Sequence, residues 1–135
     1  MISRIDHVGV AVNSLDERLA LYRDVLGLAG IHVEEVPTEH ARVGFVPLGD
    51  SEIELLEPTS SDGVLARFLE KRGEGIHHLA LAVEDCQAVL DRLRAAGIRT
   101  LDETPRPGAR RTRVAFVHPS ATGGVLLELV EHPSH

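Results

Sequence analysis

The chain has 135 residues, enough for one domain with a real core, and its 43% hydrophobic and 26% charged residues describe an ordinary soluble globular composition rather than a disordered one. Lys and Arg number 14 against 21 Asp and Glu, a formal net charge of −7, which argues against a nucleic-acid partner because phosphate contacts need a basic face. One cysteine, Cys86, allows no intrachain disulfide, and with no signal peptide and no apolar run near the ~18 residues of a membrane span, a reducing, cytoplasmic location is the expectation.

Arg4–Val12 alternates with period two and predicts a half-buried strand, with Val8, Val10 and Val12 on one face and Ile5, His7, Gly9 and Ala11 on the other. Ser14-Leu-Asp-Glu17 fits a capping box and opens a helix whose apolar stripe is Leu15, Leu19, Tyr22 and Leu26, ended by Gly27. Residues 30–36 and 41–48 read as short strands around a Pro37–His40 turn. Gly49-Asp50 signals a hairpin into a strand over Ser51–Glu57, with Glu52, Glu54 and Leu56 on one face. Val64–Lys71 predicts a short helix with Leu65, Phe68 and Leu69 inward. Gly75–Val83 is again a strand, with His78, Ala80 and Ala82 on one face. Asp85 caps a helix that buries Val89, Leu90 and Leu93, holds Cys86 as a small apolar residue and ends at Ala95-Ala96-Gly97. Ile98–Leu101 reads as a short strand, Pro105–Thr112 as a loop, Arg113–His118 as a strand and Pro119–Gly124 as a turn. The last strand is Val125–Glu131, with Leu126, Glu128 and Val130 on one face, and His132–His135 is expected to be a loose tail.

This order is one module written twice, about residues 1–62 and 63–135 of a single domain. Ile5–Val12 repeats as Ile76–Val83 at an offset of 71, which sets His7 on His78, and Ile53–Leu56 repeats as Leu127–Val130 at an offset of 74, which sets Glu54 on Glu128. Each module is strand, helix and three strands, an α+β fold of curled mixed sheets with helices outside. Two carboxylates beside apolar neighbours are costly to bury without a cation, and two neutral imidazoles do not compensate them. A divalent metal does, and His7, Glu54, His78 and Glu128 form a nitrogen and oxygen ligand set suited to Co²⁺, Mn²⁺, Ni²⁺, Zn²⁺ or Fe²⁺. Four protein ligands leave two positions of an octahedral shell for a chelating substrate, whose carbonyl the ion would polarise.

The segments Ile5–Val12, Ile53–Pro58, Gly73–Ala80, Phe116–Pro119 and Gly123–Leu129 run over essentially the whole chain. In this order and spacing they resemble the vicinal oxygen chelate superfamily and, within it, the methylmalonyl-CoA epimerase family. The resemblance implies paired βαβββ modules around a metal held by His7, Glu54, His78 and Glu128. It implies interconversion of (2R)- and (2S)-methylmalonyl-CoA by proton abstraction at C2 through a metal-stabilised enolate, with an acyl-CoA thioester as substrate. It also implies Co²⁺ as the leading cofactor, with Mn²⁺, Ni²⁺ or Zn²⁺ as alternatives, and a homodimer without a membrane or nucleic-acid partner.

Glu128 matches a family position that is both ligand and base. Some bacterial members carry a second catalytic glutamate on the strand before that of Glu54, but here the strand reads Ala41-Arg-Val-Gly-Phe-Val46, with no acid. Glu54 is therefore expected to be the second base, and Glu39, in the preceding turn, is the alternative. His77 falls on the face opposite His78 and reads as a packed or capping residue. Arg106, Arg110, Arg111 and Arg113 form a basic cluster that is either a site for CoA phosphates or a solvated loop. Two other readings are weighed: a glyoxalase-like lyase or other superfamily enzyme, which shares the ligand set, and a metal-free small-molecule binding module. The binding module fits poorly with 3% aromatic residues and no Trp.

Overall fold

The computed structural model describes residues 1–134. The chain forms two compact units, one of His7–His77 and one of Met1–Asp6 with the chain from His78 onward.

Strand β1 (Ile2–Ala11) enters the first unit at His7 and there pairs in parallel with β4 (Ser51–Pro58), with Gly9 opposite Glu54 and Ala11 opposite Leu56. β4 is antiparallel to β3 (Ala41–Leu48), and β3 to β2 (His32–Val36), so the strand order is β2-β3-β4-β1. Leu48 faces Ser51 across the two-residue hairpin at Gly49-Asp50, where Gly49 has φ +63. The parallel pair needs a crossover, and helix α1 (Leu15–Leu19) starts it. Ser14 caps α1 as the capping pattern predicts, its Oγ accepting from the Glu17 N–H at 3.2 Å. A second cap comes from β4, where Glu57 Oε2 accepts the Leu15 N–H at 2.8 Å.

The helix continues past α1 as a π-helix over Ala20–Val25, with the Leu26 N–H reaching back five residues to the Leu21 carbonyl at 2.9 Å. The wider turn breaks the 3.6-residue period. Leu15 and Leu19 are buried and Tyr22 packs on the core, but Leu26, expected to extend the stripe, is 57% exposed. The core joins Val12, Leu15, Leu19, Val46 and Leu55. Gly44 of β3 lies under the helix, and a Cβ there would stand 2.9 Å from Leu15 Cδ1 and 3.3 Å from Leu19 Cδ2. Gly44→Ala should therefore cost about 1–2 kcal/mol by overpacking. The measurement is a urea midpoint that falls with the slope unchanged; a midpoint at or above wild type would show that the helix rides loosely.

Helix α2 (Val64–Arg72) buries Leu65 and ends at Gly73, whose φ of +77 favours glycine. The next residue, Glu74, accepts from Arg18 Nη2 at 2.7 Å and from the Asn13 N–H at 2.8 Å, bonds that hold its carboxyl below the usual range.

In the second unit, β5 (Gly75–Val83) pairs in parallel with β8 (Leu127–Glu131), with Ala80 opposite Glu128. β8 is antiparallel to β7 (Arg113–Val117), and β7 to β6 (Arg106–Pro107). The order β5-β8-β7-β6 mirrors that of the first unit. Helix α3 (Cys86–Ala95) is capped by Asp85, which accepts the Ala88 N–H at 3.1 Å, and by Glu131, which accepts the Cys86 N–H at 2.8 Å. Its core joins Val83, Cys86, Leu90, Ala115, Val117 and Leu129, and burial pushes the Cys86 thiol up to about 11.

Two expectations change here. Ile98–Leu101 is no strand; it makes one antiparallel bridge, Thr100 to Val117. The ladder stops because the Asp102 carboxylate takes the Phe116 N–H at 2.8 Å in place of a strand carbonyl. The module's third strand is instead the two-residue β6, inside the segment expected to be loop. The tail is not loose at His132, whose Nε2 contacts the Asp6 carboxylate, itself 5% exposed; His135, in the same expected tail, lies outside the described residues. No helix among the described residues is long and apolar enough to cross a membrane.

Candidate functional site

In the first unit His7 projects from β1 and Glu54 from β4. Their side chains meet, His7 Nδ1 at 3.1 Å from Glu54 Oε2, and the two residues are 4% and 7% exposed. The register explains the contact. His7 and Gly9 share a face of β1, and Gly9, which stands opposite Glu54, has no side chain to block the carboxylate. On the other side of β4, Phe45 of β3 stands opposite Glu54.

The second unit builds the same arrangement. His78 Nε2 lies 3.1 Å from Glu128 Oε1, and the residues are 6% and 4% exposed. Ala80 stands opposite Glu128 on β5, and Phe116 opposite it on β7. The Phe116 ring meets the His78 ring edge-on, centroids 6.0 Å apart. Each pair is thus a carboxylate between a small residue and a phenylalanine, buried against an imidazole. Each offers one nitrogen and one oxygen donor, and a carboxylate held this far from water favours a cationic partner. The donor chemistry fits a borderline divalent ion.

His77 lies apart from His78, its ring edge-on to Phe68 with centroids 4.9 Å apart. Glu39 sits in the 3-10 turn Pro37–Glu39, half-buried, and Val43 of β3 fills a core position where an acid is absent. Of the basic cluster, Arg106 pairs with Asp102 at 3.4 Å and lies 5.2 Å over the Phe116 ring, and Arg113 faces Glu131 at 3.9 Å.

Sequence reasoning placed the small residues Gly9 and Ala80 on the histidine faces but missed two supporting pairs: Phe45 and Phe116, and the capping carboxylates Glu57 and Glu131. A signal was present. Gly9 to Ala80 and Phe45 to Phe116 repeat at the offset of 71, and Glu57 to Glu131 at 74, the offsets that relate the histidines and glutamates.

Two β-α-β-β-β modules with this strand order define the glyoxalase, or vicinal oxygen chelate, class of fold. The family model described as Glyoxalase/Bleomycin resistance protein/Dioxygenase superfamily matches residues 6–116. The chain is 40% identical to the ethylmalonyl-CoA/methylmalonyl-CoA epimerase of Cereibacter sphaeroides, over 96% of this chain and 98% of that protein. The solved structure of methylmalonyl-CoA epimerase from Mycobacterium tuberculosis matches with a TM-score of 0.91 and 41% identity, over 98% of this chain and 90% of that one. A variant of the Streptomyces coelicolor methylmalonyl-CoA epimerase in complex with 2-nitronate-propionyl-CoA matches with a TM-score of 0.92 and 35% identity, over 99% and 97%. The chain belongs to this superfamily and, within it, to the methylmalonyl-CoA epimerase family of isomerases.

Proposed function

We propose that the chain interconverts the C2 epimers of methylmalonyl-CoA with one divalent metal ion held jointly by His7, Glu54, His78 and Glu128. The observation that carries the reading is the His–Glu pair, buried in both modules at equivalent strand positions. The names of the relatives supply the thioester. When held by these residues, the ion would supply Lewis-acid polarisation of the thioester carbonyl.

The proton chemistry belongs to the side chains. C2 loses its proton to an ionised carboxylate on one face and regains one from a protonated carboxyl on the other, the two exchanging states with the direction of reaction. Glu128 serves one face and Glu54 the other. Both carboxylates are buried, so each is shielded from competition with bulk water as acceptor. Co²⁺ as the first ion to try, a single domain of modules 1–62 and 63–135, a homodimer and a cytoplasmic location complete the proposal.

The test follows deuterium at C2 of a single epimer of methylmalonyl-CoA in deuterated buffer, with metal-stripped and Co²⁺-reconstituted protein. The expected result is deuterium uptake with loss of chirality, present only with metal. Metal bound without exchange would overturn the epimerase reading and direct the search to hemithioacetals, the substrates of a glyoxalase-like lyase. A protein that binds no metal would favour the binding module.

A further inference from the structure

The turn that joins β6 to β7 is tied at its base three times. The Gly108 N–H donates to the Thr112 carbonyl at 2.9 Å, the Thr112 N–H to the Ala109 carbonyl at 3.1 Å, and the Thr112 hydroxyl to the same carbonyl at 2.7 Å. Thr112 is buried, and a Cβ at Gly108 would stand 2.6 Å from Thr112 Oγ1 and 2.7 Å from Val114 Cγ1. The base is therefore packed with no slack. At the apex Arg110 and Arg111 both hold left-handed backbone, with φ of +54 and +63. Glycine takes this conformation without strain and arginine does not, so turn formation alone gives no reason for a side chain there.

The charge around the turn is one-sided. Thr104 to Leu127 carries four arginines and no carboxylate, in a chain of net charge −7. Arg106 and Arg113 are committed to Asp102 and Glu131. Arg111 is exposed and, among the described residues, pairs with no carboxylate. It lies five residues before Phe116, the ring against His78, which is on the order of 15 Å of extended chain. A CoA thioester has a matching layout, its reacting carbon at one end of the long pantetheine arm and its phosphates at the other. Guanidinium is the side chain that meets phosphate with paired hydrogen bonds.

We infer that Arg111 is a docking point for the phosphates of the CoA nucleotide, presented on a rigid turn at a fixed distance from the His78–Glu128 pair. The inference rests on the thioester reading above and names the residue that selects the CoA ester over a truncated one.

The experiment has two arms. The first compares kcat/KM for methylmalonyl-CoA with that for methylmalonyl-pantetheine, in wild type, Arg111→Ala, Arg111→Gly and Arg111→Lys. The preference for the CoA ester should fall about tenfold in the Ala and Gly variants and be partly restored by Lys, which keeps the charge. Arg111→Gly should melt no lower than wild type, because glycine relieves the left-handed backbone, so its loss would not come from unfolding. The second arm titrates adenosine 3′,5′-bisphosphate into each protein by calorimetry, a readout independent of turnover. Binding in wild type that weakens about tenfold in Arg111→Ala supports the site. An unchanged ester preference, or bisphosphate binding indifferent to residue 111, would overturn it. If wild type turns over neither ester but binds bisphosphate through Arg111, the epimerase reading has failed and the phosphate site stands.

Discussion

Glu128→Gln is expected to slow deuterium exchange at C2 of the methylmalonyl-CoA epimer whose proton Glu128 takes by about 10²–10⁴-fold, the range that a positioned general base supplies. The substitution is nearly isosteric at a residue that is 4% exposed, so Ala80 and Phe116, which stand opposite it on the flanking strands, keep their packing. The amide retains a carbonyl oxygen able to donate to a cation, and what disappears is the capacity to accept a proton. Metal content by atomic absorption should therefore stay near one ion per chain while the rate collapses. The fold should not suffer, because removing a buried carboxylate also removes the cost of its desolvation. Loss of the ion together with the rate would make Glu128 chiefly a ligand, and a rate within a few-fold of wild type would remove it from the chemistry.

The elements that follow a simple period were legible in the sequence. The four strands that form the two parallel pairs, the hairpin at Gly49 and the caps at Ser14 and Asp85 stand where alternation and turn chemistry place them, while the pairing itself emerges only in the structure. What escaped did so for identifiable reasons. The π-helix over Ala20–Val25 inserts an extra residue per turn that a 3.6-residue pattern cannot register, and Leu26 is left outside the core. Ile98–Leu101 has the composition of a strand, but the Asp102 side chain ends its pairing after one bridge. The contact of His132 with Asp6 joins residues 126 apart in the chain, beyond any local pattern. At the candidate site, each His and Glu was visible through the internal repeat. The small Gly9 and Ala80 beside the histidines were visible too, but Phe45 and Phe116 were not, because a large side chain on a neighbouring strand acquires meaning only when strand register sets it opposite a carboxylate.

The same repeat assigns a role to Glu54 that can be separated from that of Glu128. With one base on each face of C2, each carboxylate meets the proton of one epimer only. Glu54→Gln should therefore lower epimerisation by about 10²–10⁴-fold while one epimer still exchanges its C2 proton for deuterium, through Glu128, and keeps its configuration. Glu128→Gln should show the converse, with residual exchange confined to the other epimer. Wild type cannot behave this way, since there exchange and inversion are parts of one event. The measurement incubates each pure epimer with each variant in deuterated buffer, reading C2 deuterium by mass spectrometry and configuration by chiral separation. A metal-loaded Glu54→Gln protein that epimerises at the wild-type rate would refute the role of Glu54 and move attention to Glu39, the half-buried acid of the Pro37–Glu39 turn. A variant that loses exchange of both epimers while keeping its ion would mean that both carboxylates act on a single proton, and the symmetry of the modules would then describe the fold and not the chemistry.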